Sequence, residues 1–328
     1  MAFSNSYDTT NPGSAVSNRE DLTDVLSILA PQDTPILSMS NKRKAANTYH
    51  EWTVDGLATP DDSGVVEGVD VSSFEDKFEN RARLGNYVQK FRRSYMVSDI
   101  QNAVESVGPA RIAQAEMKSV KEIKRDVEKA LCSTNDRVAG ADGVASKLRG
   151  LGDWIDSAGP SDVPSTYRTP AGSIHASGDF TETVLNNLIT SIYRVNGFSN
   201  DLTLVADTAL RRTISDFARL YTPAASEVSV RKVNYQGGAG EIRLSVDFYK
   251  SDHGTISIVN MNPDCAPDTS NKDTGYILNP SYYGVAELIS LGSKRLPDLG
   301  GGQRGYVDWV GTLEVFHPGA HGKVTALS

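Results

Sequence analysis

The segment from Tyr49 to Tyr95 constrains this 328-residue chain more than any other. Its ends, "HEWTVDGL" and "NYVQKFRRSYMV", have the alternation of β-strands. Between them "ATPDDSGVVEGVDVSSFEDKFEN" reads as a solvated connection. Compact domains seldom carry so long a connection unless it has a task. Its charges are segregated. Glu51, Asp55, Asp61, Asp62, Glu67, Asp70, Glu75, Asp76 and Glu79 load the outgoing part, against Lys77 alone, whereas Arg81, Arg83, Lys90, Arg92 and Arg93 load the return. Two readings stay open: the charges pair across one hairpin, or an acidic edge on one copy meets a basic edge on a neighbour.

The residues before this segment read as an arm. Ser17 and Glu20 have capping-box spacing, and Leu22, Val25, Leu26 and Leu29 form one helical stripe that Pro31 ends. From Pro31 to Pro35 the proline restrictions favour extended backbone. The basic triad Lys42, Arg43 and Lys44 follows, suited to acids on a neighbouring copy or to nucleic acid. An arm resting on another copy implies that deleting residues 1–45 harms an assembly more than the isolated subunit.

After the segment, Ser98 and Gln101 predict a short capped helix, and Gly108-Pro109 opens a second. That second helix, predicted over 109–133, keeps Ile112, Val120, Ile123, Val127 and Leu131 on one face and Lys121, Lys124, Arg125, Glu128 and Lys129 on the other. It reads as a beam packed on one side. The second half alternates strands and helices. Val184, Leu185, Leu188, Ile189 and Ile192 form a stripe that starts at Asp179/Glu182 and stops at Gly197. "LTLVA" is a buried strand, Asp207 caps a helix with Leu210, Ile214, Phe217 and Leu220 inward, and "EIRLSVDFY" pairs with "TISIVN" as a hairpin. The alternation in "EIRLSVDFY" places Ile242, Leu244, Val246 and Phe248 on one side. "LGGGQRG" reads as a hinge, and "YVDWVGTLEVF" as a strand returning to the first subdomain.

Reactive chemistry is sparse. His317 and His321 are separated by Pro318 and Gly319, which spoils helical presentation of a metal pair. "LGGGQRG" lacks the Lys-Ser/Thr of a phosphate cradle, and His253 serves a turn. Cys132 and Cys265 have no ligand spacing, which fits a reducing compartment without disulfides. No catalytic, cofactor or metal residue is expected. No apolar run reaches the roughly 18–20 residues of a membrane span, and the polar N-terminus reads as neither signal peptide nor anchor. A net charge of −8 argues against a surface that grips nucleic acid throughout.

Several stretches, in order, resemble one family: "REDLTDVLSILAPQDTPILS", "ANTYHEWTVDGL", "NYVQKF", "VSDIQNAV", "RGLGDWI", "VDFYKSDHGTISIV" and "GTLEVFHPGAHG". Across roughly residues 18–328 the chain is similar to major capsid (head) proteins of tailed bacteriophages, with gaps in the middle of the loop and around 160–178. The resemblance implies the α+β Hong Kong 97-type fold. It implies an N-terminal arm (1–48), an extended loop over a neighbouring subunit (49–96), a peripheral domain (97–179 plus 299–328) with a spine helix at 109–133, and an axial domain (180–298). Some relatives carry a scaffolding segment, not expected here, or cross-link their subunits; nothing marks Lys77 for that. Function by resemblance is self-assembly, as pentamers and hexamers, into an icosahedral or prolate virion shell around double-stranded DNA held by non-specific proximity. Portal, separate scaffold and decoration proteins are the further partners, with no membrane, and assembly is placed in the host cytoplasm. The inter-subunit candidates are Arg81, Arg83, Lys90, Arg92, Arg93, Glu67, Asp70, Glu75, Asp76, Lys42, Arg43 and Lys44. A tail tube, an encapsulating shell and a small-oligomer α/β enzyme are the competing readings.

Overall fold

The structure is a computed structural model that describes residues 31–104, 111–197, 199–217, 247–267 and 274–325. The predicted helix ahead of Pro31, and Leu220, Ile242, Leu244 and Val246, lie outside the described residues.

The chain is first described as irregular backbone at 31–34, then as the short helix α1 (Pro35–Met39) and strand β1 (Asn41–Lys44). Pro35 occupies the first helical turn, where its missing N–H costs nothing. The helix thus begins at Pro35, where the stretch read as extended, Pro31 to Pro35, comes to its end. Next come β2 (Tyr49–Val54) and β3 (Ala82–Tyr87), paired antiparallel with Tyr49 opposite Tyr87. The following strand β4 (Gln89–Val97) belongs elsewhere. "NYVQKFRRSYMV" is therefore two strands, not one hairpin arm.

α2 (Asp99–Ala103) is capped by Ser98, whose hydroxyl accepts the Gln101 N–H. The beam is α3 (Arg111–Cys132), 22 residues and about 33 Å at 1.5 Å per residue. Ile123, Val127 and Leu131 are buried as their spacing predicts, but so is Glu128, which periodicity places on the polar face. α4 (Leu151–Trp154) and β5 (Ile174–His175) lead into α5 (Glu182–Asn196). Thr181, rather than Asp179, caps α5 by accepting the Val184 N–H, and Gly197 ends it at φ +76°.

β6 (Ser199–Ala206), α6 (Thr208–Asp216), β7 (Phe248–Ser251), β8 (Gly254–Asn260) and β9 (Gly275–Leu278) follow. Asp207 caps α6 as expected. β7 and β8 form the expected hairpin, although Phe248 is exposed. β10 (Tyr283–Leu296) and β11 (Gln303–Val315) are a long antiparallel pair, and β12 (Gly322–Val324) closes the described chain.

Two sheets organise the molecule. One has the order β1-β10-β11-β4, with β1 parallel to β10. Its core joins Trp309, Leu313, Val285 and Tyr283 to the buried stripe of α3. The other has the order β5-β12-β9-β6-β8-β7, and its core joins Leu204 and Ile256 to Leu185, Ile189 and Ile192 of α5 and Leu210 and Ile214 of α6. The strands cross the boundaries expected for the peripheral and axial parts. β10, expected in the axial part, pairs with β11 in the first sheet, and β12 joins the second. Of "LGGGQRG", read as a hinge, the first four residues lie in the turn between β10 and β11, and Gln303, Arg304 and Gly305 already belong to β11.

Candidate assembly surface

From Asp55 to Arg81 the chain is almost wholly exposed. Its apolar side chains break the polar reading of this stretch: Leu57 is 99% exposed and Phe74 90%, and Val65, Val66, Val69, Val71 and Phe78 are exposed as well. A monomer gains nothing from seven such groups on one loop, so they mark a surface meant to be covered.

The base of this loop is held firmly. Arg137 donates to Tyr49 Oη and Gly85 O, both at 2.6 Å. Asn86, fully buried, receives the Arg149 N–H at 2.8 Å and donates to Leu313 O at 3.0 Å. Arg149 is itself buried over the Trp154 ring, hydrogen-bonded to Asp136 (2.7 Å) and Asp162 (2.9 Å) and ion-paired with Asp153 (3.0 Å). Trp52 Nε1 donates to Val315 O at 3.1 Å. A rigid base thus carries an uncovered projection.

The charged candidates divide by partner. Arg81 pairs with Asp55 (3.1 Å) and Arg83 with Glu51 (3.9 Å), so these two face acids of the same hairpin. Glu75 pairs with Lys77, and Asp76 accepts the Phe78 N–H at 2.9 Å. Glu67 and Asp70 are exposed, with no partner among the described residues. Arg43 lies 3.7 Å from buried Glu314 and over the Phe316 ring, while Lys42 lines a groove between α1, α3 and β10, and Lys44 is exposed. These three bases lie on the subunit's own sheet, and α1 is buried through Ile36. The described end of the arm therefore rests on its own body.

Lys90, Arg92 and Arg93 lie on β4, at the edge of the first sheet and beside α3. Arg93 makes two 2.7 Å bonds to Asp126. Lys90 and Arg92 reach buried Asp308 only at 3.9 and 3.8 Å. With Lys129, Phe91, Ala266 and Pro267 they line an open cleft of about 590 Å³.

The histidines are structural. Nδ1 of buried His321 accepts the Asn279 N–H at 3.2 Å, which leaves the ring neutral, and burial pulls its pKa down to about 4. His317 packs edge-on against Tyr167 and Tyr282. Cys132 and Cys265 are buried, and burial raises both thiols. No cluster of metal-ligating side chains occurs among the described residues, and no described helix is long and apolar enough to cross a membrane.

The profile of the SU10 major capsid protein family matches residues 4–328. The chain belongs to that family. Over 115 residues this capsid protein is 37% identical to the major capsid protein of Escherichia phage Phieco32, a stretch covering 34% of this chain and 32% of that relative, about a third of its length. In three dimensions it is similar to the capsid of the cyanophage P-SCSP1u (TM-score 0.61, 14% identity, 97% of this chain and 96% of that one). It is also similar to the capsid of a native GTA particle (0.60, 11%, 96% and 97%) and to Mycobacterium phage Adephagia (0.57, 12%, 94% and 95%). The fold is the α+β Hong Kong 97 type, and the protein is a shell-forming capsid subunit of a virion.

Sequence reasoning missed the groups that position this capsid protein's projecting loop and arm: Asn86, Arg149 and Glu128. "RGLGDWI" contains Arg149 and could have pointed to it, since an arginine inside an apolar run needs acids nearby. Nothing local marks Asn86 or Glu128.

Proposed function

We propose that copies of this subunit associate as pentamers and hexamers into a closed head, icosahedral or prolate, with the loop from Asp55 to Arg81 laid over a neighbouring copy. The observation that carries this reading is the loop itself, with seven large apolar side chains exposed on a firmly tethered projection. Covering them removes apolar surface from water at about 25 cal/mol per Å². A shell sums many such modest contacts, so strength comes from multivalency.

Double-stranded DNA is the enclosed cargo. The acidic subunit, with net charge −8, favours loose confinement over tight binding. Portal, separate scaffold and decoration proteins are the further partners, assembly takes place in the host cytoplasm, and the role is structural, without catalysis.

The test is expression of the chain followed by sizing chromatography and negative-stain microscopy. Closed megadalton shells are expected. Rods would replace the head by a tail tube, and a compact dimer or tetramer would favour a small-oligomer enzyme.

A further inference from the structure

We infer that the solvent face of α3 is a docking track for the phosphate backbone of double-stranded DNA. The inference rests on the shell reading above and names the part of the subunit that meets the cargo.

This face is basic although the chain as a whole carries a net charge of −8. Lys118, Lys121, Lys124 and Lys129 are exposed along α3, and none of them pairs with an acid among the described residues. At 3.6 residues per turn they share one side of the helix. The acids of α3 are turned elsewhere. Glu128 lies buried under the arm, bonded to the Ile36 and Leu37 N–H groups. Asp126 takes the fork of Arg93, and Glu122 adds its charge to the same guanidinium. Glu116, by its spacing, lies across the helix from the lysines. Lys42 of β1 shares a groove with Lys124 and extends the basic surface, and the acid of that groove, Glu287, accepts the Trp309 indole N–H at 3.1 Å.

A solvated helix face interleaves the two signs at i,i+4. Here like charges stand at that spacing: Lys121 precedes Arg125 by four residues and Arg125 precedes Lys129 by four. Arg125 is paired with Asp264, which relieves one position and leaves the lysines. Like-charge neighbours on a helix are destabilising, and an external polyanion removes that cost.

From Lys118 to Lys129 the stripe runs about 16 Å at 1.5 Å per residue. Duplex DNA presents one charge per about 1.7 Å of its axis, so the stripe faces about ten phosphate charges. Lysines are compact point charges without the planar fork that reads a base edge. Such a surface holds the backbone of any sequence weakly and reversibly, in agreement with loose confinement.

The test measures binding of a random duplex of about 30 base pairs to the full-length unassembled subunit, between about 50 and 200 mM salt. Four phosphate contacts give a slope of log K against log salt of about −3.6, a loss of about 150-fold in affinity across that range. Lys118→Gln, Lys121→Gln and Lys124→Gln together should flatten the slope by about 2.7. The matched control, Lys147→Gln with Lys250→Gln and Lys294→Gln, removes the same charge from exposed positions off α3 and should change the slope by less than about 1. Circular dichroism checks folding, and the α3 variant should melt no lower than the parent because it relieves repulsion. Equal flattening by both variants, or no binding by the parent at about 50 mM salt, would overturn the inference. So would loss of shells from the α3 variant with parental duplex binding, since the stripe would then serve a protein partner. A parent that binds duplex as expected but forms no shell would overturn the shell reading and leave the track standing.

Discussion

The carboxylate of Glu128, on α3, accepts the backbone N–H groups of Ile36 at 2.9 Å and Leu37 at 2.8 Å. These are orphan donors of the first turn of α1, and no side chain within α1 caps them. α3 thus closes α1 from outside. Tyr283 Oη donates to Ile36 O at 3.2 Å, and Ala45 N to Glu287 O at 3.0 Å, so the described arm is stitched along its length.

Glu128 predicts a pH dependence. Burial pushes its pKa up to about 7 from an ordinary 4.5, with the two N–H bonds pulling the other way. Because the folded state holds the proton more tightly than the unfolded chain, the stability from this group is fully present below about 4.5 and is lost as pH rises through about 7. The difference is on the order of 3 kcal/mol. Urea melts of the unassembled subunit from pH 5 to pH 8 should show it, and Glu128→Gln should flatten that component of the slope. An unchanged slope in the variant would assign the dependence elsewhere.

Ile36→Ala should destabilise the isolated subunit by about 2–5 kcal/mol, because its side chain is fully buried in the first core. Deleting residues 1–45 should accordingly lower the subunit's own melting temperature and bring on trypsin cleavage in the body, in addition to any loss in the assembly.

Arg149→Met should leave Asp136 and Asp153 without their shared cation, while Asp162 keeps Arg137 at 3.2 Å. All three are partly exposed, so water tempers the cost to about 3 kcal/mol or less. Faster proteolysis near residues 55 and 81 should accompany the loss, since Asn86 holds the hairpin to the Arg149 backbone.

Gly302→Ala should cost about 1–3 kcal/mol in a thermal or urea melt. Gly302 has φ +122°, and an added Cβ would come within 2.3 Å of Val97 O. Gly64→Ala is the control, with nothing within 4 Å, and should leave the subunit's melting temperature unchanged.

Replacing residues 59–77 by a short Gly/Ser link should change subunit stability by no more than about 1 kcal/mol, because those side chains rest on nothing in the subunit. Shell formation should disappear. Shells of normal size from this variant would separate the loop from assembly.

Periodicity and caps made much of the fold legible. The stripe Ile123, Val127 and Leu131, the Ser98 and Asp207 caps and the Gly197 stop all lie within one helical turn of what they control, so local spacing carries them. The segment "NYVQKFRRSYMV" was misread because β3 and β4 adjoin, and nothing local says that one stays in the hairpin while the other joins β11. The burial of Glu128 was illegible for a similar reason. It is one residue along from Val127, and the arm crossing above it, with Ile36 and Leu37 bonded to its carboxylate, helps turn a surface position into a buried one.

By itself, then, the amino-acid order determined the local elements, the segregation of charge along the long loop and the family resemblance, since each is a property of near neighbours or of motif order. Tertiary structure decided which acids the bases meet, which sheet each strand joins and that the described arm lies on its own subunit. Those outcomes depend on packing between residues far apart in the chain, and no local pattern records it.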